Sequence, residues 1–258
     1  MRVCVTGACG WTAYALIGEL CRAGQEVVVF DLPGGRCDVE AAACVVRVAR
    51  GDVAVFQDVV AAVQGADAIV HLAVTVGEAA YGAPEAPFAV NVLGTYNVFE
   101  AARRGGASKI VLMSEAAVHV PPLAGERLSA VADWRSAPGG DHLYDLTKRL
   151  QEEIAKDYAE TFGMAVTTLR AGHIVDGRAE VDPVGRPLSE VTYCRGGWVD
   201  RYDLAKACVR ALAFGEGGYR AYHVIGSTEA HERFDVERTE RELSLEFTHR
   251  FGRYHSQA

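Results

Sequence analysis

Apolar residues along this chain gather in short runs, and the runs alternate with segments in which apolar positions recur every three or four residues. From residue 2 to about 115 this alternation predicts strands near Arg2–Thr6, Glu26–Phe30, Val45–Ala49, Ala68–Leu72 and Lys109–Ser114. Helices are expected between them at Trp11–Ala23, Val55–Gln64 and Phe88–Arg104, then another from Tyr144 to Phe162, and a sixth strand ending at Leu169-Arg170-Ala171-Gly172. Nearly continuous apolar strands separated by amphipathic helices mark a parallel sheet covered on both faces. The expected fold is therefore α/β, a doubly wound, Rossmann-like parallel sheet with a small C-terminal part. From Glu232 onward the chain is dense in charge and reads as a surface helix with a frayed end.

The first apolar run breaks into Thr6-Gly7-Ala8-Cys9-Gly10-Trp11-Thr12-Ala13 and then into a helical pattern. Strand, glycine-spaced turn and helix in this order form a phosphate-binding loop. Gly7 permits the tight turn, Gly10 lets backbone approach a pyrophosphate, and Ala13 lets helix lie close on strand. A pyrophosphate would sit on the helix N-terminus, against Cys9, Gly10, Trp11 and Thr12. The second run ends in Asp31, placed to accept from the adenosine ribose hydroxyls. That acid repels a 2′-phosphate and favours NAD over NADP, although Arg36 lies near enough to accommodate one. Asp52 and Val53 follow the third strand, where Asp52 suits either an adenine amino group or a helix cap. Leu72, Ala73 and Val74 follow the fourth, where the nicotinamide half would pass. His71 reads as a packed or hydrogen-bonded strand residue, and the buried amide of Asn91 would order a water or a carbonyl.

Composition narrows the function. The chain has 258 residues, half of them apolar, and a net charge of −8 without a basic run. Nucleic acid is thereby disfavoured as a partner and an acidic membrane surface would repel the protein, which leaves small-molecule work. Seven scattered cysteines without a Cys-x-x-Cys pair suggest small buried residues, with neither a disulfide framework nor a metal site. Met1-Arg2 runs straight into the first strand and no apolar stretch is long enough to span a bilayer, so a cytoplasmic location is expected.

Tyr144 and Lys148 are four apart and share one helical face. An ammonium beside a phenol stabilises the phenolate and makes it a usable base near neutral pH. An ordinary exposed pair on an amphipathic helix has the same spacing, and it is the glycine loop upstream that favours the chemical reading. Between the fifth strand and this helix, the Pro- and Gly-rich stretch from Pro121 to Asp141 lies where ligands bind in parallel sheets.

The loop Thr6-Gly7-x-x-Gly10-x-x-Ala13, with Asp31, Gly51-Asp52-Val53, His71-Leu72-Ala73, Asn91, Gly94-Thr95-x-Asn97 and Tyr144-x-x-x-Lys148, resembles the extended short-chain dehydrogenases/reductases, among them NAD-dependent sugar epimerases and dehydratases. The likeness covers roughly residues 1–215 and continues through Trp198-Val199-Asp200-x-x-Asp203-Leu204-Ala205. It implies six or seven strands, with residues 1–165 as the NAD-binding domain and 166–258 as a smaller mixed α/β substrate-binding part that is not a separate folding unit. It also implies Tyr144 as acid/base, Lys148 on the nicotinamide ribose, and cofactor contacts from Asn91, Met113 and Ala171. A homodimer through the two long helices is implied too. The short stretch after Arg170 gives proportions similar to uronate dehydrogenase, a small member acting on a free sugar acid.

One position departs from the family. Its catalytic Ser or Thr, the second of a pair after the fifth strand, aligns with Glu115, while Ser114 matches the first. Successive strand residues face opposite ways, so Ser114 replaces that hydroxyl only if the strand end bends. Glu115 would act as a neutral acid or as a base, and Thr75 is a substitute hydroxyl. The Asp-Glu pair of the family's 4,6-dehydratases is replaced by Ala116 and Ala117, which argues against that chemistry. Beyond the sixth strand, His173, Arg178, Arg186 and Arg195 are candidates for the substrate, an arginine clamping a carboxylate or phosphate. The expected function is NAD-dependent hydride transfer at a hydroxyl carbon of a small sugar-like substrate, sugar acids included, by a dehydrogenase or epimerase. A catalytically impaired NAD-binding sensor or scaffold and a nucleotide-sugar epimerase are the alternatives.

Overall fold

The structure, a computed structural model, describes residues 1–34, 37–75, 83, 85–116, 142–191 and 197–255. Seven parallel strands make the central sheet: β1 (Arg2–Thr6), β2 (Glu26–Asp31), β3 (Val45–Arg50), β4 (Ala68–His71), β5 (Lys109–Glu115), β6 (Ala165–Ala171) and β9 (Gly218–Val224), in the order β3-β2-β1-β4-β5-β6-β9. A small parallel pair, β7 (His173–Val175) and β8 (Trp198–Asp200), stands beside it. The chain winds outward from β1 through β2 to β3, then returns to β4 on the other side of β1. Between β1 and β4 the connections leave in opposite directions and open a crevice at the carboxyl ends of the strands.

Strand alternation builds a core on each face. Val3, Val5, Val27, Val29, Val111 and Met113 face one way, against α1 (Trp11–Arg22) and α5 (Arg201–Ala211). Cys4, Val28, Phe30, Ile110 and Leu112 face the other, against α2 (Phe56–Val63), α3 (Gly94–Gly105) and α4 (His142–Phe162). Burial on both faces is why these strands read as unbroken apolar runs. A third cluster, Val175, Leu188, Trp198, Phe251 and Tyr254, holds β7 and β8 to the C-terminal segment.

Two expectations need correction. The C-terminal segment forms α6 (Val236–Glu242) and the short α7 (Gly252–His255), but it is no mere surface helix: Phe234, Val236, Leu243, Leu245 and Phe247 are buried in the α1/α5 core. Its apolar positions are spaced for irregular backbone, so charge density outweighed them in the sequence. The cysteines also pair. Cys9 joins Cys37 and Cys21 joins Cys44, with Cα separations of 4.6 and 5.2 Å, whereas Cys4 and Cys208 are buried thiols. Each bond links the loop–α1 unit to the connection between β2 and β3, a proximity created by parallel winding and invisible in spacings of 28 and 23 residues.

Candidate active site

A cavity of about 700 Å³ occupies the crevice. The loop and first turn of α1 contribute Gly7, Cys9, Gly10, Trp11 and Thr12, β2 contributes Asp31, and Asp52 and Val53 follow from the segment after β3. Leu72, Ala73 and Val74 line the middle, and Glu115 and His173 the far end. Gly7 has φ +65°, and a Cβ there would lie 2.8 Å from the Ala73 nitrogen, so only glycine lets the loop pass this close to the β4 end. Helix α1 starts at Gly10 without a side-chain cap, leaving its first N–H groups turned to the cavity mouth. The Asp31 carboxylate is pinned at both oxygens, accepting from Cys9 N and Leu32 N at 2.7 Å each.

Asp52 accepts from Ala54 N at 2.8 Å, and its own N–H donates to Asp58 at 2.9 Å, so it caps a turn ahead of α2 rather than the helix itself, which begins after Val55. Asn91 sits in a π-helical turn, Phe88–Leu93, that leads into α3. Its amide accepts from Thr75 N at 2.8 Å and donates to Thr75 O and to Thr147 Oγ1 at 3.0 Å each. The carbonyl that the amide holds thus belongs to the segment leaving β4. His71 lies between Thr6 Oγ1 at 2.7 Å and Thr95 Oγ1 at 3.0 Å, wholly buried, and burial with the charge of Lys148 pushes its pKa down to about 3. It is a neutral strut joining the phosphate loop to α3.

Tyr144 and Lys148 lie on α4 as the spacing predicts. The Lys148 ammonium stands 5.7 Å from the Tyr144 ring centroid and donates to Met113 O at 2.8 Å. Burial lowers its pKa to about 8, against the opposing pull of Glu115 and Glu152. Met113 thereby takes part through its carbonyl, while Ala171 is buried beside Glu115 in register across β5 and β6. Asn91, Met113, Tyr144, Lys148 and Ala171 surround the crevice without lining the cavity itself.

At the end of β5 the strand does not bend. Glu115 reaches the cavity and Ser114 turns inward, donating to Glu152 Oε1 at 2.5 Å. Glu152 also receives Arg170, with Nη2 at 2.7 Å, and the Tyr219 hydroxyl at 3.1 Å, which makes a buried ion pair behind the site. Ser114 is therefore tied up in support of α4 and away from the cleft. Thr75 is fixed through its backbone and does not line the cavity. Arg178 stacks on Tyr202 at 3.6 Å, and Arg186 pairs with Asp182 at 2.7 Å. Arg36, Arg195, Ala117 and the stretch from Pro121 to Asp141 lie outside the described residues.

Sequence reasoning missed Arg201. It pairs with Asp176 at 2.7 Å and stacks on Trp11 at 4.4 Å, tying the segment after β6 to the phosphate loop. Its only sequence signal is its place directly after Trp198-Val199-Asp200. Pro183 and Ile174, which line the far end of the cavity, carried none.

Residues 3–183 match the model of the NAD dependent epimerase/dehydratase family. Among curated proteins, L-arabinose 1-dehydrogenase (NAD(P)(+)) from Haloferax volcanii is 29% identical over 58% of this chain and 62% of its own length. Uronate dehydrogenase from Pseudomonas syringae is 24% identical over 65% of this chain and 54% of its own. The chain thus spans a little over half the length of these relatives. In structure, uronate dehydrogenase from Agrobacterium tumefaciens superposes with a TM-score of 0.75 at 23% identity, covering 100% of this chain and 89% of the other. The dTDP-glucose 4,6-dehydratase of Streptomyces venezuelae, with NAD bound, gives 0.80 at 20%, covering 100% and 95%. Both likenesses concern the fold. With the family model spanning most of the sheet and the whole phosphate loop, this chain belongs to the NAD dependent epimerase/dehydratase family.

Proposed function

We propose that this protein is an NAD-dependent oxidoreductase or epimerase acting on a hydroxyl carbon of a small sugar-like molecule. The observation that carries the reading is the joint placement of an uncapped α1 N-terminus, a doubly pinned Asp31 and the Tyr144–Lys148 pair around one crevice. Free N–H groups at α1 suit a pyrophosphate. Asp31 suits the adenosine ribose and disfavours a 2′-phosphate. NAD, when bound, supplies a nicotinamide that takes up or returns a hydride. Tyr144 holds the proton of the substrate hydroxyl, and the Lys148 ammonium, anchored on Met113 O, stabilises the phenolate that accepts it. The described part of residues 166–258 frames the substrate end while β6 and β9 remain in the main sheet. We infer a homodimer through α3 and α4, supported by the exposed Leu93, Tyr96 and Phe162 on or beside these helices.

The test is turnover of aldoses, uronic acids and polyols with NAD, read as NADH absorbance and as product identity, with Tyr144→Phe alongside. NADH formation that falls by about 10²-fold or more in the variant is the dehydrogenase outcome. Isomerised product without net NADH is the epimerase outcome. NAD binding with no turnover of any member would favour a binding protein in which Glu115 has replaced the reactive hydroxyl.

A further inference from the structure

We propose that Thr95 is a positioning residue: through it a buried hydrogen-bond chain from the phosphate loop holds α4 and sets the Tyr144–Lys148 pair against the cofactor. The proposal deepens the reading above and rests on it for the roles of Tyr144 and Lys148.

The chain starts at the cavity wall. Ala73, which lines the middle of the cavity, donates its N–H to Thr6 Oγ1 at 3.2 Å, at the end of β1 where the phosphate loop begins. Thr6 Oγ1 lies 2.7 Å from His71 Nδ1, and His71 Nε2 lies 3.0 Å from Thr95 Oγ1. From α4, Gln151 Nε2 reaches the same hydroxyl at 2.6 Å. Thr6, His71, Thr95 and Gln151 are all buried, at most 1% exposed, so water does not compete for these bonds.

The ends of the chain assign every proton in it. Thr95 Oγ1 lies 2.6 Å from Asn91 O, a group that only accepts, so the Thr95 proton points there. Gln151 Nε2 and His71 Nε2 must then donate to Thr95. With burial keeping the imidazole neutral, Nδ1 is left to accept from Thr6, which in turn accepts from Ala73 N. Thr95 is thus saturated, giving one bond and receiving two, and a partner that turns away strands a buried polar group.

Thr95 acts on α4 at two points. Gln151 stands one turn beyond Lys148, on the face that carries Tyr144. Asn91, whose carbonyl takes the Thr95 proton, donates from its side chain to Thr147 Oγ1 at 3.0 Å, and Thr147 donates to Tyr144 O at 2.9 Å. The two points bracket Lys148. The neighbours of Thr95 fix the start of α3 on another cavity residue: a Cβ at Gly94 would lie 2.8 Å from Val53 Cγ2, and Asn97 Nδ2 donates to Val53 O at 2.9 Å. Gly94-Thr95-x-Asn97 therefore joins the cofactor crevice to the helix that bears Tyr144.

Hydrogen exchange tests the coupling without calling on turnover. ADP is the probe, since it carries the adenosine and the pyrophosphate but lacks the nicotinamide riboside that would meet Lys148. Saturating ADP is expected to slow amide exchange in the phosphate loop and, by about threefold or more, around Tyr144 and Lys148 in the wild-type protein. In Thr95→Val the loop should keep its protection while α4 loses its own, and Thr95→Ser should restore it. Gln151→Met, which keeps bulk and removes the donor, takes the place of Thr95→Val if that variant does not fold. Exchange in α4 that ADP leaves unchanged in the wild type, or slows equally in the variants, overturns the proposal. Where a sugar is turned over, Thr95→Val should lower kcat by about 10-fold or more while the Kd for NADH stays within about threefold, because a displaced Tyr144 costs rate rather than cofactor affinity. A variant that melts at a lower temperature with kcat and ADP-dependent exchange intact makes Thr95 a packing residue and also overturns it. If no sugar turns over, the exchange result still decides: coupling without turnover upholds the chain and removes the hydride-transfer reading alone.

Discussion

Lys148 is buried, yet the role proposed for it beside Tyr144 requires its charge. Burial lowers its pKa to about 8, and Glu115 is the larger of the two carboxylates that oppose the drop. The ammonium is present below that value and is lost as pH rises through it, so kcat/KM should have a descending limb near pH 8. Replacing Glu115 by Gln removes an anion that favours the charged lysine, and the limb should move to lower pH by about half a unit to one unit. A pH profile of the variant that keeps its limb in place would show that the two groups are not coupled. The Tyr144–Lys148 face was legible because helical spacing fixes it. The opposite orientations of Ser114 and Glu115 followed from strand alternation alone. His173 was legible only as a polar residue after β6; that its Nε2 is buried depends on β8, far along the chain, and no local pattern encodes it.

Helix α4 carries more than the face proposed for catalysis. One turn beyond Lys148, Glu152 ties it to β6 through Arg170, to β5 through Ser114 and to β9 through Tyr219. Arg170 and Glu152 are 3% and 1% exposed, so breaking the pair leaves an uncompensated buried charge. Arg170→Met should destabilise the protein by about 3–5 kcal/mol, lowering the melting temperature by roughly 10 °C. Adding Glu152→Met should recover part of that loss, because the stranded carboxylate is gone. Thermal unfolding of the two variants decides the matter: a double variant less stable than Arg170→Met would mean that the pair contributes favourably beyond its own desolvation. The helices and strands expected up to Gly172 were legible from periodicity to within a residue or two, whereas no range was expected for β7, β8, α5 or β9. The π-helical turn at Phe88–Leu93 was not, since its extra residue per turn serves to bring Asn91 onto Thr75, a tertiary contact.

At the scale of the molecule, winding order brings remote segments together, and the crosslinks are its least predictable product. The sheet and its crevice were legible because apolar runs, glycine loop and Asp31 all point to one topology. The cysteine pairs were not, because each partner sits in a different crossing of the same edge. Cys9–Cys37 and Cys21–Cys44 close loops with sequence separations of 28 and 23 residues, and by chain entropy each should stabilise the fold by about 3 kcal/mol. In the cytoplasm expected from the sequence, the glutathione and thioredoxin systems would keep such thiols reduced, so the bonds make the redox state a property to measure. Alkylation in denaturant, before and after reduction, followed by peptide mapping, should show Cys9, Cys37, Cys21 and Cys44 protected until reductant is added. The reduced protein should then unfold at a temperature lower by about 10 °C or more. If all four react at once in material purified without reductant, the edge of the sheet is held by packing alone. The stabilisation of α1 against the β2–β3 connection must then come from the apolar contacts that Ile17, Leu20 and Val39 make in the α1/α5 core.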